Sequence, residues 1–188
     1  MRRWTLEAFL IALALPMAAQ AGWRDEASSF DQNRFAKLDE SRAKGLAEAG
    51  DVPAIRETFD APAVSADSLG GTWRCRTLKL GGMTSYVVYS WFRCRISDRG
   101  GELVFEKLSG SQRMAGTLYR EGDGYVYLGA SWVKGETAHR YSGNGASAGA
   151  DATPDDQIGL LVATAGGARL ELPYPVQEST FDAIELRR

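Results

Sequence analysis

"GGTWRCRTLKLGG", residues 70–82, is the stretch that decides the fold. A glycine pair brackets it on each side, and its centre, Arg74-Cys75-Arg76, returns as Arg93-Cys94-Arg95. Neighbours on an extended strand point to opposite faces. A cysteine between two arginines therefore predicts a buried sulfur with guanidinium groups turned outward. If Cys75 and Cys94 are bridged across adjacent strands, Trp73 and Cys75 share an inner face with Tyr86, Val88, Phe92, Cys94 and Ile96. The outer face then carries Arg74, Arg76, Arg93 and Arg95, together with Leu78, Tyr89 and Trp91.

Outward from this stretch, the same texture runs to the C-terminus. Glycine pairs at 70–71, 81–82, 100–101 and 166–167, and Asp123-Gly124, punctuate short runs rich in Val, Ile, Tyr, Phe, Trp and Thr. Such runs at regular spacing predict antiparallel strands. Eight are expected, near 72–80, 86–97, 102–108, 112–120, 125–134, 157–164, 168–172 and 180–187. The segment 142–154, "SGNGASAGADATP", is small and polar and predicts a long loop. Upstream, residues 23–50 lack proline and are rich in Ala, Glu, Lys and Arg, which predicts a helix. Phe30, Phe35, Leu38, Leu46 and Ala49 would form its apolar side and Gly50 its stop. The expected fold is mainly β: an eight-strand antiparallel barrel or strongly curved sheet over 70–188, preceded by a helical segment and connector over 22–69.

Residues 1–21, "MRRWTLEAFLIALALPMAAQA", have the anatomy of a secretory signal peptide. Arg2 and Arg3 precede an apolar run from Phe9 to Ala18, and Ala19-Gln20-Ala21 fits a small-x-small cleavage site. The run is shorter than the about 20 residues that a membrane span needs, so no transmembrane segment is expected. Cleavage would remove 21 of 188 residues and leave 167, with the net charge moving from −2 to −3 as two Arg and one Glu depart. That size suits one domain with its own core. Mild acidity gives no drive toward nucleic acid. In a periplasmic or secreted chain two cysteines are a natural pair; Cys75–Cys94 would close a loop of about 20 residues. Zinc is disfavoured, because His139 is the lone histidine and neither cysteine has a C-x-x-C companion.

The outer arginine patch is the first candidate site: Arg74, Arg76, Arg93 and Arg95 beside Tyr89 and Trp91. Arginine next to aromatic rings suits carboxylate or phosphate recognition. The competing expectation is structural: Asp25, Glu26, Asp31, Asp39 and Glu40 of the helix would pair with the arginines, and its apolar side would dock on Tyr89 and Trp91. In "KLSGSQRMAGTLYR", Lys107, Gln112 and Arg113 surround a Ser-Gly-Ser turn, read as a hairpin with capped polar groups or else as a ligand mouth at a barrel end. Tyr125, Tyr127 and Trp132 are expected to pack. For catalysis the residues are thin. His139 has Ser109 and Ser111 as remote candidates, and no Gly-x-Ser-x-Gly elbow exists. Asp151, Asp155 and Asp156 lack EF-hand spacing. No metal or cofactor is called for.

Gly71-Thr72-Trp73 at the head of the strand region resembles the Gly-x-Trp signature of lipocalin-like proteins. That resemblance implies that Trp73 closes the barrel base and that Arg187, in "FDAIELRR", packs over it as a barrel-closing arginine. The segments "GTWRCRTLKLGG", "YSWFRCRI", "EKLSGSQRMAGTLY", "YLGA" and "ESTFDAIEL" resemble an uncharacterised family of secreted proteobacterial proteins, domain-of-unknown-function family 4893. It implies secretion and no established activity. The expected function is a non-catalytic binding or interaction module that holds a small ligand or a periplasmic protein. A protease-inhibitor-like barrel and an enzyme of unfamiliar type are the alternatives.

Overall fold

The structure is a computed structural model that describes residues 22–65, 68–143 and 155–188. The leader expected over 1–21, Asp151, and residues 144–154 of the expected loop lie outside these. Four helices come first: α1 (Trp23–Glu26), α2 (Ser29–Phe35), α3 (Leu38–Ala49) and α4 (Pro53–Asp60). Nine strands follow: β1 (Gly71–Leu80), β2 (Tyr86–Val88), β3 (Phe92–Arg99), β4 (Glu102–Lys107), β5 (Gln112–Glu121), β6 (Gly124–Val133), β7 (Asp156–Thr164), β8 (Gly167–Pro173) and β9 (Phe181–Arg187). From β3 to β9 each strand pairs antiparallel with the next, and β1 pairs with both β3 and β9. Eight strands thus close a barrel, and β2 is an extra strand on the upper part of β1.

The single strand expected over 86–97 is split. Leu78 faces Val88, whereas Cys75 faces Phe92, so three steps along β1 match four along its partner. One extra residue between 88 and 92 makes a bulge, which reverses the alternation of side chains across it. Beyond the bulge the expected inner face holds: Trp73, Cys75, Cys94 and Ile96 are all buried. Before it, Tyr86 and Val88 lie opposite Leu80 and Leu78, on the outer face and not the inner one. Tyr89 comes opposite Thr77, to whose carbonyl its N–H donates at 3.0 Å, so it leaves the outer face where Trp91 remains. The expected bridge is present: Cys75 and Cys94 form a disulfide between β1 and β3, with Cα atoms 5.8 Å apart.

The interior is packed at the end where β1 begins. Trp73, Ile96, Phe105, Leu118, Tyr127, Leu161, Leu170 and Leu186 fill it. Phe105 and Tyr127 meet edge to face, with centroids 5.9 Å apart. Trp73 Nε1 donates to the Leu69 carbonyl at 3.0 Å, which ties the entry of β1 to the base.

The helices lie against the outer wall. The expected continuous helix over 23–50 is three helices, and curvature is the reason. A straight helix of that length would run about 42 Å, whereas the wall it covers turns from β6 to β1. Trp23 and Ala27 pack on Val126, Leu128 and Ile158; α2 contacts β7 and β8; α3 contacts β8, β9 and β1. Ser28 starts α2 by accepting from the Asp31 N–H at 3.2 Å. The break re-phases the chain. Phe30, expected in the apolar side, is 46% exposed, and Asp31 and Arg34 face inward instead. Their ion pair is 2.6 Å long and buried, with Arg34 also donating to the Asp156 carbonyl at 2.6 Å.

On α3 the inward positions are Leu38, Ser41, Gly45 and Ala49, a narrow strip of mostly small residues. Ser41 Oγ donates to the Thr180 carbonyl at 2.8 Å and accepts from the Tyr174 N–H at 3.0 Å. A Cβ at Gly45 would sit 2.7 Å from the Phe181 Cβ and 3.3 Å from the Leu80 Cβ. Two effects compete in Gly45→Ala. Helix propensity favours alanine by about 1 kcal/mol, and overpacking costs about 1–3 kcal/mol. Because the obstacles are Cβ atoms that cannot swing away, we expect a net loss of about 1 kcal/mol in a urea melt. A stabilised variant would mean that α3 stands farther from the wall.

Candidate ligand-binding cavity

At the other end of the barrel the inward positions turn polar. Along β1 the inner face runs Trp73, Cys75, Thr77, Lys79, from base to mouth. Lys107 on β4, Ser131 on β6, Gln157 on β7 and Asp182 on β9 join it around a cavity of about 710 Å³. Met114, Leu172 and Ile184 give it an apolar floor, and Trp132 and Pro175 an apolar side. His139 stands at the rim, Nδ1 3.0 Å from Asp155 Oδ2.

Charge in this cavity is arranged unevenly. Lys79 Nζ lies 2.7 Å from Glu178 and 3.8 Å from Asp182. Burial opposes the charge on Lys79, but these two carboxylates outweigh it and hold the pKa above the ordinary lysine value. Lys107 is buried, with Nζ donating to the Gln112 carbonyl at 2.7 Å and lying 4.6 Å from the Phe92 ring centroid. Burial, reinforced by the nearby charges of Arg113 and Lys79, pushes its pKa down to about 8. Arg113 Nη1 is buried with no hydrogen-bond partner.

Asp182 is the acid most disturbed by the fold. Burial pushes its pKa up to about 6, against the opposing pull of Lys79 and of Ser179 Oγ, which donates at 2.6 Å. A raised folded pKa means that the native state holds its proton more tightly than the unfolded chain. Its contribution is therefore full below about pH 4 and is lost as pH rises through about 6. At neutral pH the charged carboxylate costs the fold up to about 3 kcal/mol. Asp182→Asn should thus stabilise the protein at pH 7 and leave it unchanged at pH 4. Thermal melts at both pH values check this, and equal shifts at both would contradict it.

The outer arginine patch is built differently. Trp91 forms its centre, with the guanidinium groups of Arg76, Arg74 and Arg187 at 4.7, 5.1 and 5.4 Å from the ring centroid. Arg76 pairs with Glu185 at 2.5 Å, and Arg187 with Glu57 at 2.9 Å. Arg95 pairs with Glu106 at 2.8 Å, and Arg93 lies directly opposite Arg74 in the register. The acids that meet the patch are thus on α4, β4 and β9. Of those expected from the first helices, Asp31 is engaged with Arg34, Asp39 with Arg42, and Glu40 with the Tyr174 hydroxyl. The arginine over Trp73 is Arg188, at 4.6 Å, and not Arg187. Alternation along β9 explains the difference: Leu186 points inward, so Arg187 points out toward Trp91.

Of the residues singled out from sequence, Lys107, Gln112, Arg113, Trp132, His139 and Asp155 come together at the cavity, while the arginine patch lies on the outer wall. Thr77, Lys79, Leu172, Glu178, Asp182 and Ile184 were not anticipated. One signal pointed to two of them: Thr77 and Lys79 have the same parity as Trp73 and Cys75.

A family model described as "Domain of unknown function (DUF4893)" matches residues 23–186. No curated protein and no solved structure matches the chain. Among the described residues no helix is long and apolar enough to cross a membrane.

Proposed function

We propose a function for a chain that belongs to the domain-of-unknown-function family DUF4893: an exported, non-catalytic module that holds a small amphipathic ligand in the open end of its barrel. The observation that carries this reading is the cavity. Its 710 Å³ falls within the range of small-molecule sites, about 300–1,000 Å³. It also has the mixed lining of such sites, with an apolar floor and a few convergent polar groups. The eight-strand barrel packs its base with side chains and leaves this end open. Export to the periplasm is supported by the leader read at residues 1–21 and by the disulfide, which suits an oxidising compartment.

The test is native mass spectrometry of protein purified from the periplasm, with Ser131→Trp as the blocked variant. Ser131 lines the mouth and is part-exposed, so the larger ring obstructs entry without overpacking the base. We expect an extra mass on the wild-type chain, or uptake of an amphipathic dye, and loss of both in the variant at unchanged circular dichroism. Wild-type protein that carries no mass and takes up no dye would end this reading.

A second reading, catalysis at the same mouth, is favoured by the His139–Asp155 pair alone. A carboxylate on Nδ1 orients an imidazole for proton transfer. If it holds, His139→Ala abolishes turnover of chromogenic esters while leaving ligand uptake intact.

A further inference from the structure

We infer that the cavity takes its ligand by an anionic head, a carboxylate or phosphate, seated between Lys107 and Arg113. This rests on the ligand-binding reading above and adds the chemistry of the ligand.

The inference comes from accounting for the charges around the cavity. Each carboxylate that lines it already has a partner on the wall. Glu178 and Asp182 face Lys79, Asp155 faces His139, and Glu136 accepts from the Val133 N–H at 2.8 Å. Of the cations, Lys79 is matched by its two acids. Lys107 and Arg113 form no ion pair among the described residues. Lys107 meets only a carbonyl and the face of an aromatic ring, although the residue is 94% buried. Arg113 directs a buried Nη1 at no acceptor.

Two like charges held close in a dehydrated site oppose each other. Burial is the main cause of the depressed pKa of Lys107, and the charge of Arg113 adds to it. A buried guanidinium nitrogen without a partner is likewise costly. One anion relieves both, accepting from Lys107 Nζ and from Arg113 in charge-assisted hydrogen bonds. The rest of such a ligand is apolar, because Met114, Leu172, Ile184 and Trp132 form the remaining contact surface. A cationic head would meet Lys107 and Arg113 as like charges, and a neutral head would leave them as they are.

Isothermal titration with four probes of one chain length tests this: octanoate, octyl phosphate, octan-1-ol and octyltrimethylammonium. We expect the two anions to bind roughly 10- to 100-fold tighter than the alcohol, and the cation not to bind. The ratio of octanoate to octyl phosphate then says which head is preferred. Lys107→Met removes a buried charge that lacks a counter-ion, so the variant should fold at least as well as wild type. It should bind the anions and the alcohol about equally, and Arg113→Met should do the same. If the alcohol binds wild-type protein as tightly as the anions, the anionic head is wrong and the cavity reading stands. If no probe binds to a folded protein, both fail together. If the anions keep their advantage in both variants, they are held elsewhere and the assignment to Lys107 and Arg113 is overturned.

Discussion

Asp31→Ala should lower the melting temperature by on the order of 10 °C, the largest effect we expect from any single substitution. Asp31, on the inward side of α2, is fully buried, and its carboxylate holds three groups at once. Its Oδ1 pairs with Arg34 Nε at 2.6 Å, Ser28 Oγ and the Tyr141 hydroxyl donate to Oδ2, and the Ser28 cap depends on the same corner. Truncation leaves Arg34 buried and charged with no counter-ion among the described residues, beside the carbonyls of Asp156 and Tyr174 and the Phe30 ring. Removing one partner of such a pair costs about 3–5 kcal/mol. Replacing both with apolar residues of similar size, as in Asp31→Leu with Arg34→Met, should be far milder, because no lone charge remains. A melt that falls by less than about 2 °C in the single variant would show that water reaches Arg34.

The second large effect concerns the bridge. Cys75→Ala combined with Cys94→Ala should cost about 3 kcal/mol, again on the order of 10 °C, because the link closes a loop with a sequence separation of 19 residues. Both cysteines are fully buried, so the double variant is a cleaner comparison than reductant added to folded protein. A variant that melts within about 2 °C of wild type would mean that the pairing of β1 with β3 and β9 alone confines this loop in the unfolded ensemble as well.

What could be read in advance divides along physical lines. Alternation around Cys75 and Cys94 is a local rule, and it located the inner face of β1 and β3 near the bridge, where Trp73, Cys75, Cys94 and Ile96 are apolar and buried. It misled at Tyr86, Val88 and Tyr89, since Ser90-Trp91 has no glycine or proline to mark the extra residue of the bulge. The helical segment was legible from composition, but its breaks were not. They answer to the curvature of a wall made from β1 and from β6 to β9, the latter more than 70 residues downstream. The cavity was hardest to see. Lys79, Lys107 and Asp182 face inward, where residue polarity alone would have turned them out, and their neighbours come from strands remote in sequence. The arginine patch, conspicuous in sequence, is held by Trp91 and by carboxylates from α4 and β9 that no local rule connects to it.

The register of β1 with β9 also governs the order in which the molecule can be assembled. Arg74 to Leu80 must find Arg187 to Phe181, and α3 rests on β8 and β9 as well as on β1. The staves of this cask cannot be hooped until the last has emerged, so the chain stays open for nearly the whole of its synthesis. Contacts so far apart along the chain also form slowly. A polypeptide that delays its own closure in this way remains threadable, and deleting residues 181–188 should leave it unable to shut at all.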